Sequence, residues 1–104
     1  MNELARQKLI EAALSGVRQI KGRYHDDDGG RCAMGVLGVR SSEIGQQSNV
    51  DQVCATYEVG IHHSLGKRSQ CPGCSRTFYA EIDLIIHLND DHDLDFLGIA
   101  HKMP

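Results

Sequence analysis

Two cysteines and two histidines near the end of the chain have the spacing Cys-x2-Cys-x12-His-x4-His. The four residues in this pattern are Cys71, Cys74, His87 and His92. Zinc takes four sulfur or nitrogen ligands in a tetrahedron, and Pro72 with Gly73 suits a tight turn that aims both thiolates at one point. The histidines are a little more than one helical turn apart, so we expect the helix to end or unwind between them, among weak helix formers. The spacing predicts one structural zinc ion per chain.

The Cys-x2-Cys pair has two other interpretations. A thioredoxin-type redox pair lies at a helix start after a buried strand. Here the preceding segment, LGKRSQ at residues 65–70, is polar, and two histidines follow at metal-ligand spacing. The thiols and imidazoles can also be unrelated to one another. We favour the metal site over both alternatives.

Apolar residues lie at fixed positions between the four ligands. Phe78 follows Cys74 by four positions, Leu84 comes six later, and His87 three after that. Residues 71–92 therefore resemble the two-Cys, two-His zinc-finger family, over about 22 of the 104 residues. The resemblance implies a ββα unit held together by zinc.

The same resemblance does not make nucleic-acid reading the favoured function. The family's base-reading helix positions −1, 3 and 6 would fall on Ala80, Asp83 and Ile86. Base edges are bound better by Arg, Asn, Gln or His. The helix is acidic, and the chain has a net charge of −3, so phosphates would be repelled. We therefore regard nucleic acid as possible but disfavoured.

Three isoleucines give the predicted helix a second apolar face. These residues, Ile82, Ile85 and Ile86, present more apolar surface than an isolated finger can leave exposed to solvent. They can pack onto the rest of the chain, in particular onto residues 31–38 and an N-terminal helix. Alternatively, they are partner-binding residues on a surface for another protein.

The rest of the chain predicts a small α+β or mostly helical domain. Apolar residues recur at helical spacing over residues 2–15, with Asn2 as a possible N-cap. We predict a strand at 17–24, a turn at 25–30, a strand or short helix at 31–40, a loop at 41–49, a strand or short helix at 50–61 and a loop at 62–70. The fold class is α+β: one small domain with an N-terminal α+β part at 1–66 and a zinc-stapled, finger-like part at 67–104 packed against it.

Composition and charge restrict the setting of the protein. Residues 53–104 carry four basic and seven acidic residues, while the first half is balanced. No segment resembles a signal peptide or a membrane span, so we expect a cytoplasmic protein without a membrane partner. In a reducing compartment, Cys32 and Cys54 are expected to be buried thiols. Four ligands close a zinc site, so we expect no enzyme.

A looser resemblance covers more of the chain. The segments SGVRQIKGRY, RCAMGVLG, IIHLNDDH and DLDFLGIA look like those of small bacteriophage and prophage proteins, although the last helix ends early here, at HKMP. This resemblance implies an accessory protein of a mobile element. The predicted function is a zinc-binding interaction module that binds and modulates, or inhibits, a host protein such as a defence component.

The alternative function is a nucleic-acid-binding transcriptional regulator. It would be favoured by a contiguous basic patch on the surface. The six residues that could form such a patch are Arg6, Lys8, Arg18, Lys21, Arg23 and Arg40. An exposed acidic or apolar patch would instead favour a protein partner.

Overall fold

In a computed structural model of the protein, the structure describes residues 1–40, 49–60, 69–74, 76–78 and 80–103. This part of the chain contains five helices and one antiparallel strand pair. The helices are α1 Glu3–Leu14, α2 Ala33–Val36, α3 Val50–Tyr57, α4 Glu81–Asp90 and α5 Phe96–Lys102, and the strands are β1 Ser69–Gln70 and β2 Thr77–Phe78. The chain is thus a small, mostly helical domain of α+β type. The boundary at residues 66 and 67 and most of the two predicted loops lie outside the described residues.

The predicted N-terminal helix is confirmed as α1. The Asn2 side chain caps it by accepting a hydrogen bond of 3.0 Å from the backbone N–H of Ala5. The helix ends before Gly16, whose φ of 74° lies in the left-handed region that glycine adopts without strain. The backbone N–H and the side-chain amide of Asn2 also donate hydrogen bonds to the backbone carbonyls of Tyr57 and Thr56 at the end of α3. These bonds connect α1 to α3.

The predicted strand at residues 17–24 is wrong within the described chain. This segment instead takes part in one isolated parallel bridge, between Gln19 and Arg31. The hydrogen bonds there are Ile20 N–H to Arg31 O, 3.0 Å, and Arg31 N–H to Arg18 O, 2.8 Å. Gly22 then adopts a φ of 76°, which ends the extended run before a ladder can develop.

Two segments whose type was left open are helical. Residues 33–36 form α2, and residues 50–57 form α3. The backbone at Tyr24 passes very close to α2, because a Cβ placed on Gly35 would overlap the carbonyl oxygen of Tyr24. Only glycine fits at that position. The predicted turn at 25–30 is confirmed, with Asp26 Oδ1 accepting from the backbone N–H groups of Asp28 and Gly30.

The hydrophobic core lies where α1, α2, α4 and α5 meet. Its largest fully buried apolar side chains come from all four helices. They are Leu9, Met34, Leu84, Ile85, Leu88, Phe96 and Ile99. Helix α4 contributes three of them and also packs against β2, so it connects the helical core to the strand pair.

Candidate metal centre

The structure brings all four predicted ligands together. One donor atom from each of Cys71, Cys74, His87 and His92 lies within 4.8 Å of the other three. Cys71 Sγ is 3.3 Å from His92 Nε2, Cys74 Sγ is 3.4 Å from His87 Nε2, and the two Nε2 atoms are 3.0 Å apart. Two thiols and two imidazole nitrogens therefore converge on one point.

These separations are compatible with a zinc ion. Zinc bonds of about 2.3 Å to sulfur and about 2.0 Å to nitrogen place tetrahedral ligands about 3.3 to 3.8 Å from one another. The sulfur–nitrogen separations of 3.3 and 3.4 Å in the structure are close to that range. The donor atoms can surround one ion with shifts of about 1 Å or less.

The turn between the cysteines is shaped by hydrogen bonds and by Gly73. Cys71 N–H donates to Arg76 O at 2.7 Å, and Gly73 N–H donates to Cys71 Sγ at 3.4 Å. A Cβ on Gly73 would lie 3.0 Å from Cε1 of His92. The absence of a side chain at Gly73 therefore allows the His92 ring to approach the turn.

His87 is held in the orientation that a ligand needs. Its Nδ1 lies 2.8 Å from Oδ2 of Asp91, and because a carboxylate can only accept, Nδ1 carries the proton and donates. Nε2 is then left with its lone pair facing the cluster. The ring of Phe78 packs beside it, 4.9 Å away between centroids. Metal-binding histidines commonly have such a carboxylate partner.

The end of α4 brings the second histidine, His92, to the cluster, as the sequence predicted. Helix α4 stops at Asp90, and His92 follows in the next turn of chain before Asp93, which has a φ of 54°. Sequence reasoning did not give Asp91 a role at the metal site. Its position four residues after His87, on the same helical face, was the signal that could have done so.

The three isoleucines differ in their exposure. Ile85 has no exposed surface and Ile82 is 9% exposed, so both are covered by the chain itself. Ile86 is half-buried and keeps some surface. As partner-binding residues the three stay a prediction, and Ile86 is the member with most surface to offer.

Asn89 connects α4 to the segment before α2. Its side chain is 1% exposed. Oδ1 accepts from Ala33 N–H at 3.0 Å and from Gln19 Nε2 at 2.9 Å, and Nδ2 donates to Ile20 O at 2.9 Å. No local sequence pattern reveals these partners.

The remaining cysteines lie outside the cluster. Cys32 and Cys54 are buried, at 6% and 2% exposure. Burial raises the pKa of the Cys32 thiol, and burial also raises the pKa of Cys54, to about 11. Both thiols are therefore protonated at neutral pH and poor nucleophiles.

Comparison of the chain with protein-family models, curated proteins and solved structures gives no match. No helix among the described residues combines the length and apolar character needed to cross a membrane.

Proposed function

We propose that the protein is a small zinc-stabilised module for protein–protein interaction. In this proposal, zinc joins the β1–β2 pair to α4 in a finger-like ββα unit. The observation that carries it is the convergence of two thiols and two imidazoles within 4.8 Å. The order of strand, Cys-x2-Cys turn, strand and helix supports the finger-like interpretation.

Zinc is the metal that suits this donor set best. Two thiolates and two neutral imidazoles in a tetrahedron are a common structural zinc environment, whereas calcium and magnesium need oxygen ligands. Four protein ligands leave no position for a substrate or an activated water. We therefore propose a structural ion and no enzymatic activity.

A protein partner is supported by the charge and position of α4. Residues 81–91 include four acidic residues and neither Lys nor Arg. Of the positions that read bases in DNA-binding fingers, Ala80 is buried and Ile86 is half-buried beside residues 22–24 and 32–34. A phosphate backbone would meet carboxylates and a partly covered helix face.

Most of the basic residues proposed for a cationic patch lie next to an acidic side chain in the described part of the chain. Lys8 lies near Glu11 at 4.0 Å, Arg18 contacts Asp26, and Lys21 contacts Asp93. Arg6 contacts Glu3 at 3.3 Å and donates to a backbone carbonyl of α5. Four of the six candidate residues therefore have an acidic neighbour, which disfavours the nucleic-acid alternative.

The setting in a mobile element is part of the proposal and rests on the four segments that resemble bacteriophage and prophage proteins. A small protein of that kind would act by binding a host protein and modulating or inhibiting it. The acidic α4 and the surface left on Ile86 are the features through which we expect it to do so.

Metal analysis tests the zinc part of the proposal. Purified protein should contain about one zinc per chain. The zinc should be replaceable by cobalt(II), whose visible spectrum reports a tetrahedral site with thiolate ligands. A metal-free chain that is fully folded, with the β1–β2 hairpin ordered, or an octahedral cobalt spectrum, would contradict the assignment.

Binding measurements test the choice of partner class. The zinc-loaded chain should capture a defined protein from host cytosol. A random DNA duplex at physiological salt should bind weakly. Submicromolar duplex binding with a steep salt dependence would instead support the transcriptional regulator.

A further inference from the structure

A pocket of about 270 Å³ lies where α4 meets residues 22–24 and the start of α2. Its apolar wall is formed by Cys32, Ala33, Met34 and Ile86. Arg23 and Asp90 lie at its polar side. None of the four residues of the Cys/His cluster lines this pocket.

The size of the pocket restricts what can occupy it. Pockets for free small molecules have volumes of about 300 to 1,000 Å³ and bury most of the ligand. At about 270 Å³, this pocket is below that range but large enough for one apolar side chain. Its walls are fixed by the Asn89 hydrogen bonds to Ala33 and Ile20, so the pocket is already formed without an occupant.

The charges around Ile86 indicate what should lie next to that side chain. On α4, Asp83 precedes Ile86 by three residues and Asp90 follows it by four, so both carboxylates share its face. Asp83 is exposed, and its side chain has no hydrogen bond or ion pair among the described residues. Asp90 is held in place by the backbone N–H of Gly22 at 3.3 Å.

Tyr24 also lines the pocket. Burial is the main reason that the pKa of the Tyr24 hydroxyl is raised, with smaller contributions from Cys32, Cys54 and the Asp83 carboxylate. Asp83 is placed beside the pocket by its position on α4, about one helical turn before the pocket residue Ile86.

We propose that this pocket anchors one large apolar side chain of a protein partner, next to a Lys or Arg of the same segment that pairs with Asp83. The inference rests on the proposed protein-interaction function and assigns its binding site. Many protein interfaces combine a buried anchor residue, which contributes much of the binding energy, with a charged contact at the rim.

A random dodecapeptide library, displayed and selected on the zinc-loaded chain, tests this. Enriched peptides should combine Leu, Met or Phe with a neighbouring Lys or Arg. Changing Ile86 to Glu should weaken their binding by about thirtyfold or more, since it removes an apolar wall of the anchor site. Changing Asp83 to Lys should weaken it by about fivefold, the effect of an exposed charge pair.

The matched control is Glu11→Lys, which reverses an exposed acid on α1 outside this pocket and should leave binding unchanged. If Ile86→Glu does not fold, Ile86→Ala, with an unchanged melting temperature, should still weaken binding by about tenfold. Peptides insensitive to Ile86 and Asp83, or peptides without the basic residue, would overturn the pocket assignment and leave the interaction function standing. A library with no enriched peptides would also overturn it, while capture of a host protein would still decide the proposed function.

Discussion

The helical core and the segment that holds the Cys/His cluster differ in what keeps each folded. In the core, α1 and α5 pack through fully buried side chains such as Leu9, Phe96 and Ile99. Each of these contributes about 1.5 to 3 kcal/mol by burial alone. The cluster segment has strands of only two residues each, so its hairpin cannot be stable through its own backbone pairing.

Helix α4 belongs to both regions and connects them. Ile85 faces the core without any exposed surface, while His87 faces the cluster. The core can therefore hold α4 in place before a metal binds. In an isolated finger the metal must order the helix as well, whereas here it has mainly the hairpin to order.

The largest effect should come from removing the metal. Chelation, or Cys74→Ser, should abolish amide protection around Cys71 and Thr77 in hydrogen exchange, because structural zinc contributes about 10 to 16 kcal/mol to folding in finger peptides. Amides of α1 and α5 should stay protected. A matched control is Cys32→Ser, a buried thiol outside the cluster, which should leave zinc bound.

If chelation also removed the protection of α1 and α5, the two regions would form one cooperative unit and the comparison would fail. If the hairpin stayed protected without metal, its stability would have a different source.

The next largest effect should separate the two sides of α4. Changing Ile85 to Asp places a carboxylate where no surface is exposed and should lower the free energy of unfolding by about 4 kcal/mol. The control, Ile86→Asp, changes a half-buried neighbour and should cost about 1 kcal/mol. Thermal melts of both variants check this, and equal losses would show that α4 is not anchored in the core through Ile85.

The metal centre could be predicted from the sequence because it depends on local spacing. A two-residue gap between cysteines and a five-residue step between His87 and His92 restrict the geometry almost independently of the rest of the chain. Helix α1 was predictable for a similar reason, since its N-cap at Asn2 and its stop at Gly16 are local signals.

The connection between the regions could not be predicted, because it depends on contacts between residues far apart in sequence. Residues 17–24 have the alternation of a strand, yet Gly22 turns the chain away and Tyr24 instead passes over Gly35. Asn89 finds partners about 56 and 70 residues away. No periodicity within a short window carries that information.

Asn89 allows the connection itself to be tested. Changing Asn89 to Ala leaves the buried N–H of Ala33 and the carbonyl of Ile20 without their partner, which should cost about 2 to 3 kcal/mol. Gln19→Ala removes one of the bonds to Asn89 and should cost about 1 kcal/mol. Denaturant unfolding measures both, and equal effects would mean that Asn89 is not the main link.

A variant of Asp91 tests whether zinc affinity can be lowered without a change in the stability of the helical core. Changing Asp91 to Asn removes the carboxylate that orients His87 and should weaken zinc affinity about 10- to 100-fold. Stability of the helical core should not change, because Asp91 is exposed. Competition with a chromophoric chelator measures the affinity, and Asp83→Asn controls for the lost charge. Equal affinities in the two variants would remove Asp91 from the metal centre.

The smallest effect concerns a cysteine that belongs to the core. Burial raises the pKa of Cys54 from 9.0 to about 11, so its neutral form is the one the folded state favours. A group whose pKa is raised on folding contributes its full stability below the unfolded pKa and loses it as pH rises through the folded pKa. Stability should therefore fall between about pH 9 and pH 11. Helix α3 has only eight residues and can open locally, so we expect a loss of about 1 to 2 kcal/mol, less than the full shift would give.

Cys54→Ala should lose less stability than the wild type over the same range in denaturant unfolding. Chelator-treated protein should show the same difference, because Cys54 lies outside the metal cluster. Identical pH profiles for wild type and Cys54→Ala would show that burial does not raise the pKa of this thiol. The α3 side of the core would then be as open to water as the hairpin.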